Sequence, residues 1–304
     1  MAKADIPVHA NQLPRVMSQN GVALREDVAY TNHKGEENSG VRNRTEKALG
    51  KLHEVLGKIL EADETVYFVC AARAPQNAIE QLLANIYTQY MTASVLIFTS
   101  RRLIHLLVKP NGTWRRSVRS VSWGDVAEAK VKGSLFGRHL ALKYRNGKKE
   151  TYSGLRSGDG KKVKVLVDAI LSSGSVESTS AQGVVSLCPD CRAELTPRTY
   201  RCAQCRLEFK DEATAARRTF LIPGGGYFYV GMPLPGILFA LVETLFLLSV
   251  IILSLGILIG GPPSPGEEPI TWATVIPVLV FLSIEKLFTY YHVRNLVRYF
   301  IPAN

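Results

Sequence analysis

From Leu234 to Gly261 the chain carries no Lys, Arg or Asp and a single acidic residue, Glu243. Such a stretch leaves few folds open. Spanning a hydrocarbon core takes ~20 apolar residues wound as helix, because a lone segment in lipid must satisfy its own backbone polar groups. A Gly- and Pro-rich segment, GGPPSPGEEP at 260–269, ends the run, and a second apolar run continues from Ile270 to Phe288. The expectation is a transmembrane hairpin of two helices. Arg217 and Arg218 precede the first run and Lys286, Arg294 and Arg298 close the second, while the loop carries only Glu267 and Glu268. The positive-inside tendency then places both termini in the cytoplasm and the loop outside. Glu243 is the one ionisable group deep in the first span, with Lys286, His292 or Thr244 as candidate partners in the hairpin. A proton or ion path through it would need further spans, supplied by a homo-oligomer.

Just ahead of this region, residues 188–205 read CPDCRAELTPRTYRCAQC, two Cys-x-x-Cys knuckles separated by ten residues. Four thiolates at this spacing close a tetrahedral shell around Zn²⁺, with no open position for a catalytic water. Cys188, Cys191, Cys202 and Cys205 are therefore read as ligands of a structural Zn²⁺ in a small zinc ribbon. Cys70, inside an apolar run, is expected to pack as a small hydrophobe. This usage suits a reducing compartment, and the opening MAKADIPVHANQLPR lacks the apolar core of a cleaved signal peptide.

The remainder divides by pattern. Residues 1–43 are polar and without period, and are expected to form a mobile tail, a few of whose residues dock on the domain behind. Leu49, Leu52, Leu56 and Ile59 then recur at helical steps, and a second helical face follows within 76–90. Strands are expected at 65–72, at 95–108 as a pair joined by a ThrSerArgArg corner, and at 114–121, 125–132, 138–145 and 149–154. Asn111-Gly112 and Asn146-Gly147 supply hairpin turns. An amphipathic helix with Val163, Leu166, Val167, Ile170 and Leu171 on one face closes the series. Residues 173–186 read as a flexible linker.

Two resemblances follow from these residues. The acidic GluAlaAspGlu before the first strand, the LeuIlePheThrSerArgArgLeuIle run and the closing helix resemble the bacterial pleckstrin-homology-like (PH/GRAM-type) domains over 45–172. The Gly224–Gly226 run and TyrPheTyrValGly (227–231) before the apolar runs resemble a family of small two-transmembrane-helix domains. The implied organisation is α+β. A PH-like curved antiparallel sheet capped by a C-terminal helix, with its preceding amphipathic helix (44–172), leads through the linker to the zinc ribbon (187–209). A Gly-rich approach and transmembrane hairpin (219–304) complete it, and the bacterial resemblance implies the inner membrane.

The chain holds 37 Lys and Arg against 26 Asp and Glu in 304 residues, a net charge of +11. An excess of this size draws a chain towards anionic lipid or nucleic acid. The basic residues are dense in 101–164, and Arg192, Arg198, Arg201 and Arg206 decorate the ribbon. No phosphate-cradling loop, nucleophile elbow or His/Glu protease pair is present, and His105, within an apolar strand, reads as packing. The expected role is non-enzymatic: a membrane-anchored recognition, scaffold or sensor protein meeting anionic headgroups or a protein partner. A membrane-tethered nucleic-acid binder is the second reading, and an oligomeric channel or transporter subunit built around Glu243 the third.

Overall fold

The computed structural model describes residues 16–17, 22–75, 91–134, 137–174, 183–259 and 271–303. Two compact units divide the chain, Met1–Leu207 and Glu208–Asn304. The helix expected within 76–90 lies outside the described residues, as do most of the linker and the loop carrying Glu267 and Glu268.

In the first unit, short strands β1 (Val16–Met17) and β2 (Ala23–Leu24) and a one-turn helix, α1 (Glu26–Ala29), precede helix α2 (Ser39–Ile59). The Asn38 side chain caps α2 by accepting from the Val41 N–H at 3.0 Å, so the helix begins well before its first apolar repeat at Leu49. Strands β3 (Val66–Arg73), β4 (Ala93–Thr99), β5 (Arg102–Val108) and β6 (Trp114–Ser122) form one antiparallel meander. Strands β7 (Val126–Ser134), β8 (Gly137–Tyr144) and β9 (Lys149–Leu155) form a second. The two join where Arg73 of β3 pairs with Ser153 of β9. Helix α3 (Ser157–Ser173) follows. Both Asn-Gly turns fall between paired strands, with Gly112 and Gly147 each at φ +83°, a conformation that glycine adopts freely.

Strands β4 and β5 are buried almost end to end because they have a core on each side. On one face Phe68, Leu96, Phe98, Leu103 and Leu140 pack with Val163, Leu166, Val167 and Ile170 of α3. On the other, Val69, Val95, Ile97, Ile104 and Leu106 pack with Leu49, Leu52, Leu56 and Ile59 of α2. The apolar face of α2 is thus spent on its own sheet.

The acidic turn and the ThrSerArgArg corner interlock. Arg102 donates to Glu64 through Nε (2.9 Å) and Nη2 (2.7 Å) and to the Ile59 carbonyl (2.9 Å). The Thr99 hydroxyl donates to Glu64 at 2.7 Å and accepts from the Arg102 N–H at 3.1 Å. Arg101 pairs with Glu61 and Asp63 at the surface. Glu64, Thr99 and Arg102 thus form a buried ionic clasp between two strand ends.

Residues 22–38, expected to belong to a polar tail, pack instead. Val22, Leu24, Val28, Ala29 and Tyr30 are buried, and Leu24 pairs in parallel with Val66. Lys162 of α3, buried to 2% exposure, donates to the carbonyls of Val28 (2.5 Å), Ala29 (3.1 Å) and Thr31 (2.5 Å). The end of linker 173–186 is also ordered. Strand β10 (Val185–Leu187) pairs with β6, and β11 (Glu194–Leu195) pairs with β10. The cysteine segment is thereby an extension of the sheet.

The second unit is helical. Helix α4 (Glu212–Leu221) is capped by Asp211, which accepts from the Thr214 N–H at 2.7 Å. A short helix, α5 (Gly225–Tyr229), leads to α6 (Pro233–Ile259) and α7 (Trp272–Val297), both long and apolar enough to cross a membrane. Only 11% and 17% of their most apolar windows are buried, unlike the core helix of a soluble domain. The glycine run is required by close approach. A Cβ on Gly224 would lie 2.1 Å from the Gly236 carbonyl oxygen, and one on Gly225 2.3 Å from that of Arg218. Tyr227 is buried against Phe239 with ring centroids 4.9 Å apart.

Candidate metal centre

Each knuckle is a tight turn held by the same two backbone bonds. Cys188 N–H donates to Ala193 C=O (2.8 Å) and Arg192 N–H to Cys188 C=O (3.0 Å). Cys202 N–H donates to Leu207 C=O (2.8 Å) and Arg206 N–H to Cys202 C=O (3.0 Å). Arg192 and Arg206, each directly after the second cysteine of its knuckle, adopt left-handed conformations at φ +65° and +62°. The two knuckles are thus structural copies that face each other.

Their four Sγ atoms all lie within 4.8 Å of one another, with Cys188–Cys205 and Cys191–Cys202 at 3.5 Å. A Zn–S bond of ~2.3 Å in a tetrahedron sets sulfur–sulfur separations of about 3.8 Å, so the four fit a metal ion. Burial raises the Cys188 thiol to about 12, against donors from the Cys191 and Asp190 N–H groups. At Cys202 burial is outweighed by the N–H groups of Cys205 and Gln204 and by neighbouring thiols, which bring it down to about 7. A cation binding here would displace the remaining thiol protons. The centre is anchored to the sheet by β10 on one side and by Arg116 on the other, whose Nη2 donates to both Asp190 oxygens at 2.8 and 3.0 Å.

The four cysteines grouped by the sequence lie together, at separations compatible with a metal ion, and the structure places the remaining candidates as follows. Glu243 is fully buried and pairs with Lys286 at 2.5 Å, the first of its expected partners. Its Oε2 also accepts from the Gly224 N–H at 2.9 Å, and Lys286 donates to the Thr219 carbonyl at 2.7 Å. This ties α6, α7, α4 and the glycine run into one knot. His292 is buried against Phe288. His105 is buried, its Nε2 2.8 Å from the Ser94 hydroxyl. Cys70 is buried, and burial pushes its thiol well above the ordinary range.

Much of the basic excess is consumed internally. Arg101 and Arg102 serve the clasp, Arg119 pairs with Glu150 at 2.6 Å, Arg145 donates to the Gly124 carbonyl at 2.6 Å, and Lys162 is interior. Lys109, Lys130, Lys132, Lys143, Lys148, Lys149, Lys161 and Lys164 remain exposed. Arg192, Arg198, Arg201 and Arg206 of the ribbon are exposed as well.

No protein-family model matches the chain, and no curated protein matches it. Among solved structures it is similar to the crystal structure of the C-terminal domain of an unknown protein from Leishmania infantum. That likeness has 12% identity over 43% of this chain and 98% of the other, with a TM-score of 0.28. At that score it carries no argument about fold or function.

Proposed function

We propose that this is a non-enzymatic membrane protein that presents a basic PH-like recognition domain, stapled by a structural zinc ribbon, at the cytoplasmic face of a bacterial inner membrane. The observation that carries the reading is the exposed apolar surface of α6 and α7. Ile252, Leu258, Ile259 and Ile284 are 67%, 71%, 80% and 61% exposed, and many of their apolar neighbours on the two helices are exposed as well. At ~25 cal/mol per Å² of apolar area, a lipid environment would stabilise such helices. Arg217, Arg218, Arg294 and Arg298 at one end of the hairpin favour that end on the cytoplasmic side.

A four-stranded meander, a three-stranded meander paired to it and a closing helix support the PH-like assignment. Matched knuckles presenting four thiolates at these separations suit a tetrahedral thiophilic cation, and zinc is the proposed occupant. The exposed lysines supply the recognition chemistry, each worth about 1 kcal/mol near an anionic leaflet. Flotation of residues 22–207 with anionic and with neutral vesicles tests the lipid part. Binding confined to anionic vesicles and weakened by salt is expected, and equal flotation with both would remove the electrostatic basis.

A further inference from the structure

Strand β7 is the last strand of the sheet, so alternate N–H and C=O groups along it point away from β8 with no strand beside them among the described residues. Between this edge and helix α3 lies a cavity of about 200 Å³, lined by Ala129, Lys130, Val131, Lys132, Lys164, Val167 and Asp168. Its composition is ordered by the strand's alternation. Ala129 and Val131 turn inward and, with the buried Val167, make a small apolar floor. Lys130, Lys132 and Lys164 stand exposed at the rim, opposed by Asp168 and by Glu128, which pairs with Lys130 at the surface.

We infer that this edge is a docking groove for an extended acidic segment of a partner protein, which adds to the sheet as a strand beside β7. The backbone edge supplies main-chain hydrogen bonds, and the shallow floor accepts small or branched apolar side chains from alternate residues of the incoming strand. The lysines select among strands. They repel basic segments, including the lysine-bearing edge of a second copy, and receive carboxylates from an acidic one. The exposed Glu128–Lys130 pair is weak and yields readily to a better-placed carboxylate. This inference does not depend on the lipid reading, since it rests on the edge and the floor as well as on charge.

The test uses the full chain in nanodiscs of neutral lipid, with a fluorescent peptide of alternating valine and glutamate as long as the nine residues of β7. Saturable binding is expected. The double substitution Lys130→Glu/Lys132→Glu should weaken it roughly tenfold or more. N-methylation of alternate peptide residues along one edge should abolish binding, and along the other edge leave it intact, a readout that needs no variant protein. No saturable binding overturns the inference. So does binding indifferent to the lysine substitutions, or equal loss from methylating either edge, which would mark simple charge attraction.

Discussion

Glu64 is fully buried, and the bidentate Arg102 and the Thr99 hydroxyl make its charge tolerable there. Removing one partner of such a pair strands the other. Arg102→Met should therefore cost the first unit about 3–5 kcal/mol, and Glu64→Gln/Arg102→Met distinctly less than that, read as urea midpoints. The same logic holds in the hairpin. Lys286→Met leaves Glu243 uncompensated among apolar helices, so it should lower the unfolding temperature in detergent more than Glu243→Gln/Lys286→Met does. His105 behaves differently, because burial and then Arg119 hold its imidazole well below the ordinary 6.5. The folded state stays unprotonated where the unfolded chain takes up a proton. Stability is therefore flat with respect to this group above pH 6.5 and falls as pH drops below it. His105→Gln should flatten that acid limb in denaturation curves taken across pH. Pairings of this kind are only partly visible in a sequence. The nearness of Glu243 and Lys286 follows from folding one apolar run back on another. The reach of Lys162 to the carbonyls of Val28, Ala29 and Thr31 joins segments far apart in the chain, and no local pattern marks it.

At the scale of elements, the strands, both Asn-Gly turns and helices α2 and α3 were legible because hydrophobic period and turn chemistry are local signals. The four-cysteine cluster was legible for the same reason, since two residues of each knuckle sit in one turn. Residues 22–38 were not. Their apolar residues, Val22, Leu24, Val28 and Tyr30, are spaced irregularly among polar ones and gain their burial from a sheet formed later in the chain. Strand β10 was hidden likewise, because a Ser- and Gly-rich stretch reads as linker until β6 offers it an edge. That pairing couples the proposed zinc site to the sheet. Cys188 follows β10 directly, so loss of the ion should loosen the sheet edge as well as the knuckles. Chelation, or Cys188→Ser/Cys191→Ser, is expected to abolish a zinc content of about one per chain and to speed hydrogen exchange at Val185–Leu187. Exchange at β3 and β4 should stay slow. Unchanged zinc content in the double variant would refute the assignment.

At the scale of the whole molecule, a sheet unit with two cores and a four-cysteine cluster is covalently continuous with a helical unit whose two long helices expose apolar side chains. The two place opposite demands on solvent. The first exposes lysines and buries its leucines, and the second does the reverse along α6 and α7. Their combination in one chain is the basis for reading a tethered recognition protein, and the tether is the part on which the rest depends. It is tested most directly by alkaline carbonate extraction of membranes from cells expressing the full chain. The protein should remain in the membrane pellet and be released only by detergent, as helices inserted in the bilayer require. Release into the alkaline supernatant would show that α6 and α7 do not span lipid, and would contradict the account.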